Sequence, residues 1–200
     1  MSWIEVISFD KAKGKLKSLY EKVTGPNNNV DNIMMIHSLR PHTMVGHMAI
    51  YKNVLHNSAN KLPKWYLETL GVYVSMLNKC DYCIEHHFEG LKRLLNDDEK
   101  SKEIRKELEN DSFKSIEKEG YQQGLLYAKK LTLYPNQLVK NDIVDLKEKG
   151  ITEGEILEIN QVVSYFNYAN RTVLGLGVTT KGDILGLSPS SSEDNNWKHQ

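Results

Sequence analysis

Twenty residues from Glu68 to His87, ETLGVYVSMLNKCDYCIEHH, hold both cysteines of the chain, Cys80 and Cys83, in a Cys-x-x-Cys spacing. His87 follows Cys83 by four positions, with His86 beside it, and Glu68 stands upstream in an otherwise mostly apolar run. Residues three or four apart are neighbours on a helix, so the two sulfurs and His87 can share one face. Two thiols at this separation can close a disulfide. A cysteine near a helix start is favoured as thiolate by the unpaired N–H groups and the positive dipole end. His87 could take the thiol proton or pair with the thiolate. Glu68 lies twelve positions before Cys80, so it can reach the sulfurs only through tertiary packing, and burial there would raise its pKa and make it a base. The residues read as a dithiol redox site.

Other chemistries fit less well. A zinc site on Cys80, Cys83 and His87 lacks the second Cys-x-x-Cys of a structural site, and a catalytic zinc would need those three ligands plus water. No metal or other cofactor is therefore expected. Attachment of c-type haem needs histidine directly after the second cysteine, where this chain has Ile84. A thioredoxin-type site follows a strand in a βαβ unit, and the surroundings here are helical. A purely structural pair stays open. His86 reads as a helix-surface or interface residue. His37, His42, His47 and His56 show no repeated spacing, although His42 and His47 could line a pocket. Met34, Met35, Met44 and Met48 read as core fillers, and Glu85 and Glu89 as the solvated face of their helix.

The elements that must carry these groups are helices. Leu16, Leu19, Tyr20 and Val23 recur at helical spacing after Asp10, a candidate N-cap, and Thr24-Gly25-Pro26 ends that segment. A short segment spans Asn32 to Leu39, and Pro41 suits the first turn of a helix to about Leu55. Pro63 opens the next helix, with Leu67, Leu70, Tyr73, Val74 and Leu77. Asn78-Lys79 interrupts it, and the cysteines open another helix that continues through Leu91, Leu94 and Leu95. Asn96 to Glu119 is highly charged and reads as exposed helices and connections. Gln122 to Leu133 is helical, stopped by Tyr134-Pro135-Asn136. Asn141 starts a short helix that Gly150 ends. Thr152 and Glu155 form a capping-box pattern before Ile156, Ile159, Val162, Val163 and Phe166, in a helix to about Leu174. No strand pairs are visible, so the fold class is all-α. Val74-Ser75-x-x-Asn78 is echoed by Val163-Ser164-x-x-Asn167, which two duplicated helical halves would explain. The expected organisation is one domain over residues 1–187 and a loose polar tail over 188–200.

Composition narrows the setting. Lys+Arg 26 balances Asp+Glu 26, which gives no electrostatic reason to expect nucleic acid or an anionic membrane as partner. No apolar run approaches the roughly 18 residues that would span a bilayer. The opening Met1-Ser2-Trp3-Ile4-Glu5 lacks the basic-then-apolar order of a secretory signal, so a cytoplasmic protein is expected. In that compartment a cysteine pair is more often catalytic or metal-binding than a structural disulfide.

Taken together, Glu68, Ser75-x-x-Asn78, Cys80-Asp81-Tyr82-Cys83 and His87 resemble the pattern of the alkylhydroperoxidase AhpD-like branch of the carboxymuconolactone decarboxylase family. The likeness extends to SWIEVISFDKAKGKLKSLYEKVTG, to Ser38–Tyr51 and to SYFNYANRTVLGLGV, which are similar to its peroxidase-related members. The resemblance implies an all-helical fold that assembles as a homo-oligomer, commonly a dimer, trimer or hexamer. It implies a thiol-dependent peroxidase that reduces hydroperoxides through a dithiol/disulfide cycle. Cys83 would be the nucleophile and the more buried sulfur, activated through Glu68 and His87. Cys80 would resolve the sulfenic acid, and an external dithiol, lipoylated or thioredoxin-like reductant would restore the thiols. The better-understood peroxidases have a proton-relaying histidine where this chain has Tyr82. A phenol titrating near pH 10 shuttles protons poorly at neutral pH. Slower turnover or a different oxidant is the expected consequence, with Tyr82 as a relay or site-lining residue. The alternatives are thiol–disulfide exchange or redox sensing with a protein partner, a non-redox decarboxylase of the wider family, whose members lack the cysteine pair, and a metal-binding module.

Overall fold

A computed structural model describes residues 2–188, so the expected polar tail lies outside the described residues beyond Ser188. Helices make up the fold, and no strand occurs among the described residues. In chain order they are α1 (Gly14–Val23), α2 (Asn32–Met35), α3 (Pro41–Tyr51), α4 (Lys64–Leu77), α5 (Asp81–Leu95), α6 (Asp98–Glu109), α7 (Glu119–Leu133), α8 (Lys140–Glu148) and α9 (Glu153–Gly175). The all-α expectation holds.

The fold is built on α4. Every residue from Tyr66 to Ser75 is buried, so this helix has no solvated face and must be surrounded. It packs against α5, α7 and α9, with α6 completing the shell. Gly71 makes the α4–α9 approach close enough: a Cβ there would lie inside the Phe166 ring. Phe166 in turn sets its ring edge against His87, at 4.5 Å between centroids and 82° between planes. Replacing Gly71 by alanine overpacks this contact. A loss of about 1–3 kcal/mol is expected, or a Tm lower by roughly 2–12 °C in a chain of this size, measurable by calorimetry.

The turn between α4 and α5 places the cysteines. Lys79 takes the left-handed conformation, φ 57°. Its N–H donates to Met76 O at 3.0 Å, and that of Cys80 to Ser75 O at 2.9 Å. These two bonds define a Schellman motif, which stops α4 in one turn. Cys80 is thereby the last residue of that motif and the N-cap of α5. The capping box of α9 forms as expected: Thr152 Oγ1 accepts from Glu155 N at 3.3 Å, and Glu155 Oε2 accepts from Thr152 N at 2.8 Å.

Three segments depart from the sequence reading. Asp10 caps nothing: it sits in a 3-10 turn, and α1 starts only after Lys13, because Gly14 with φ +53° breaks the run. The helix from Pro41 regularises only to Tyr51 and ends in a π-turn over Lys52–His56, which buries His56. Asn96 to Glu119 is not simply exposed. Ile104, Leu108, Phe113 and Ile116 from this stretch are buried, a narrow apolar stripe masked by the surrounding charge.

The sequence echo meets itself across the α4–α9 contact. Asn78 Nδ2 donates to Asn167 Oδ1 at 3.1 Å and to Asn170 Oδ1 at 3.0 Å. The serines are not equivalent, for Ser75 is buried and Ser164 is exposed.

Candidate active site

Cys83, Glu68 and His87, from two different helices, line one cavity of about 40 Å³, together with Tyr51, Tyr165 and Met34. Glu68 points from α4 toward α5, and its Oε2 lies 2.6 Å from Nδ1 of His87. Both side chains are largely withdrawn from water, at 5% and 15% exposure. The tertiary contact that Glu68 needed is therefore made to His87. The direction of its proton affinity is the reverse of the expectation. Burial favours the neutral acid, but the charge and hydrogen bond of His87, and then the charge of His56, outweigh it and hold the carboxyl below its ordinary value. Glu68 is a carboxylate at neutral pH. As an acceptor only, it fixes the proton of His87 on Nδ1 and leaves Nε2 as the nitrogen that can exchange one.

Cys80 and Cys83 are free and buried. Exposure does not separate them, at 0% for Cys80 and 2% for Cys83, but Cys83 is the more deeply enclosed by protein, as expected of the more buried sulfur. What separates them is the cavity, which Cys83 lines and Cys80 does not. The two thiols share a proton. The hydrogen bond from Cys83 holds Cys80 below the ordinary thiol range, against burial, with the Asn170 amide assisting. That same bond, then burial and the charge on Cys80, push Cys83 well above it. Of the two, Cys80 at the α5 N-cap is thus the readier to ionise, where the helix dipole favours an anion, and Cys83 holds its proton the more firmly.

Asn170 is the residue that sequence reasoning missed at this point. It is fully buried on α9, touches both sulfurs, and is oriented by its donation to Ser75 Oγ at 3.0 Å. Ser75 in turn donates to Gly71 O at 2.7 Å, which leaves its lone pairs facing Asn170. The signal was available: an amide among Phe166, Ala169 and Val173 on an apolar helix face needs a partner. Replacing Asn170 by alanine is expected to raise the first thiol pKa by about one unit, the worth of one hydrogen bond to a charged group, read from ultraviolet thiolate absorbance against pH.

Tyr82 lines the same cavity and is committed elsewhere. Its OH donates to Asp183 Oδ2 at 2.7 Å and accepts from Ile33 N at 3.1 Å. Burial, together with the charges of Asp183 and Asp31 and the bond to Asp183, raises its pKa well above 10, so it is a fixed donor and carries no proton relay at neutral pH. His86, read as a helix-surface or interface residue, is only partly exposed and has partners within the chain. Its ring lies 4.5 Å from that of Tyr82, and Nε2 is 3.2 Å from Asp183 Oδ2. His47 lines the cavity with Tyr165, their polar atoms 3.2 Å apart, whereas His42 is exposed. Met34, Met44 and Met48 are core residues as read. Among the described residues no group of three or more His, Cys, Asp or Glu is arranged to hold a metal ion.

No protein-family model matches the chain, and no curated protein matches it. Solved structures do. A structure described as the alkylhydroperoxidase AhpD core of an uncharacterized peroxidase-related protein from Ralstonia eutropha JMP134 superposes with a TM-score of 0.78 at 18% identity, covering 91% of this chain and 93% of that one. An uncharacterized peroxidase-related protein from Silicibacter sp. TM1040 gives 0.69 at 20% identity, covering 84% and 83%. The debrominase Bmp8, solved as a cysteine-to-alanine variant with 2,3,4-tribromopyrrole, gives 0.70 at 13% identity, covering 91% and 95%. The chain has the all-helical AhpD-like fold. Its structural neighbours include proteins described as peroxidase-related and a debrominase, so the fold is shared by proteins of different described activities. No described helix is long and apolar enough to cross a membrane.

Proposed function

We propose that this protein is a thiol-dependent peroxidase, reducing hydroperoxides at Cys83 and closing a Cys80–Cys83 disulfide. The observation that carries the reading is the convergence of Cys83 with the Glu68–His87 pair on one small cavity. The cycle follows from the shared proton. Transfer from Cys83 to Cys80 along their hydrogen bond makes Cys83 the thiolate. It attacks the terminal peroxide oxygen, forming a sulfenic acid as the O–O bond breaks and the alkoxide leaves. The His87–Glu68 pair supplies the proton that turns the alkoxide into alcohol. Cys80 then attacks the sulfenic sulfur, expelling hydroxide, which takes up the thiol proton and leaves as water. In sum, two thiols and one hydroperoxide give one disulfide, one alcohol and one water. An external dithiol, such as a lipoylated or thioredoxin-like protein, returns the two electrons.

Burial favours a small oxidant over a protein disulfide as the first partner of Cys83, since a sulfur only 2% exposed is out of reach of a folded partner until the site opens, an opening that the external dithiol needs as well. Cavity size weighs in the same direction. About 40 Å³ is open to the centres of water-sized groups, which suits the O–OH head of a hydroperoxide. The test is a count of free thiols before and after one equivalent of hydrogen peroxide. Loss of both thiols within seconds to minutes is expected. Thiols that survive peroxide while still reacting with a general thiol reagent would sink the proposal.

A further inference from the structure

We infer that Asp183 is a specificity-determining residue, clasping the segment 179–188 over the cavity so that Cys83 meets only small, unbranched hydroperoxides, hydrogen peroxide foremost. This inference rests on the peroxidase reading for its substrate, and on geometry alone for the wall. Gly186, Leu187 and Ser188 line the cavity that Cys83 lines, so the segment is one of its walls. It lacks regular secondary structure and must be held by specific bonds.

Asp183 supplies several of them. Its side chain is 1% exposed. The carboxylate accepts from the backbone N–H of Asn32 at 3.1 Å to each oxygen and from the Tyr82 hydroxyl at 2.7 Å. Nε2 of His86 lies 3.2 Å from the same Oδ2. Asn32 returns the contact, its side chain donating to Thr179 O at 2.8 Å and Lys181 O at 3.1 Å. At the far end Arg93 Nη1 donates to Gly186 O at 2.7 Å. Gly186, with φ +74°, lies directly on the α5 backbone, where a Cβ would come within 2.7 Å of Glu89 Cβ. Two of the groups bonded by Asp183, Tyr82 and His86, belong to the cysteine helix itself. Tyr82 stands between the two cysteines in sequence. The wall is therefore tied to the helix that carries the nucleophile, and a carboxylate receiving several donors in a buried setting makes that tie strong.

Removing the carboxylate leaves Asn32 N–H, Tyr82 OH and His86 without their common acceptor, and the segment opens more often. Small oxidants, which already fit, gain little; bulky ones gain access. The experiment compares Cys83 modification, followed by peptide mass, using iodoacetamide and a fluorescein maleimide. Cys83 oxidation by hydrogen peroxide and by cumene hydroperoxide is measured alongside. The proteins are the parent, Asp183→Ala and Tyr82→Phe, the last deleting one bond and keeping the ring. The bulky reagent and the bulky peroxide should each accelerate by about tenfold in Asp183→Ala, with a smaller gain in Tyr82→Phe, while the small ones change by less than about threefold. Equal acceleration of small and bulky probes would mean general loosening and overturn the inference, as would no change in folded variants. If no peroxide oxidises the parent and the alkylating pair still shows the size-selective gain, the wall stands and the peroxidase reading falls.

Discussion

Replacing Cys83 by serine is expected to lower peroxide consumption by at least about a thousandfold, because the one thiol lining the cavity is lost and a serine hydroxyl cannot attack an O–O bond at neutral pH. Cys80 remains in that variant but does not line the cavity, and its residue is fully buried. Replacing Cys80 instead should leave a single turnover intact: Cys83 is oxidised once and, without its partner, the sulfenic acid persists and can be trapped with a dimedone probe. The two variants differ in a further way. In the parent, Cys83 is the sulfur that holds its proton the more firmly and Cys80 the one that ionises more readily. Cys80→Ser removes the acceptor for the Cys83 proton, so the first oxidation should slow as well as stop after one turn. Rapid peroxide consumption by the Cys83→Ser protein would move the nucleophile to Cys80 and overturn the assignment. Stopped-flow peroxide loss and intact-mass analysis of the two variants separate these outcomes.

The helical scaffold was legible because its signals are local: apolar spacing in α4 and α9, a Thr-x-x-Glu cap, and Pro or Gly at the breaks. The exceptions have physical causes. Charge around Ile104 and Leu108 hid a stripe only two residues wide within α6, and Asp10 looked like a cap until Gly14 delayed the helix. Cys80, Cys83 and His87 could be grouped from the sequence because one helix start holds them. The Glu68–His87 contact could be proposed but not read, since it depends on how α4 lies on α5. The sign of the Glu68 shift could not be read at all. Burial and the opposing charges of His87 and His56 compete there, and only their geometry decides which prevails. Asn170 gave a signal, an amide on an apolar face. Asp183 gave none, since a lone aspartate between Gly182 and Ile184 is what an exposed turn looks like.

Glu68→Gln should lower the turnover number by about a hundredfold or more, the usual contribution of a positioned acid–base group, since the amide no longer holds the charge that fixes the His87 tautomer and stabilises its protonated form. The same substitution tests the pair thermodynamically. A carboxyl whose folded pKa is depressed contributes stability that is fully present above its unfolded value and is lost as pH falls through the folded value. The ordinary glutamate value is 4.5 and the folded Glu68 lies lower. The parent should therefore exceed Glu68→Gln in stability at pH 6 by about 1.5–3 kcal/mol, the range for a buried hydrogen bond to a charged group. The gap should hold down to about pH 5 and then close as the acid range is entered. Denaturant melts at a series of pH values read this directly. A gap that widened on acidification would mean that Glu68 is protonated in the fold, the raised-pKa base that its apolar sequence neighbours suggested, and the proton supply to the leaving alkoxide would then run from the carboxyl itself. A gap that closes leaves Glu68 as the fixed counter-charge, with His87 as the group that moves the proton.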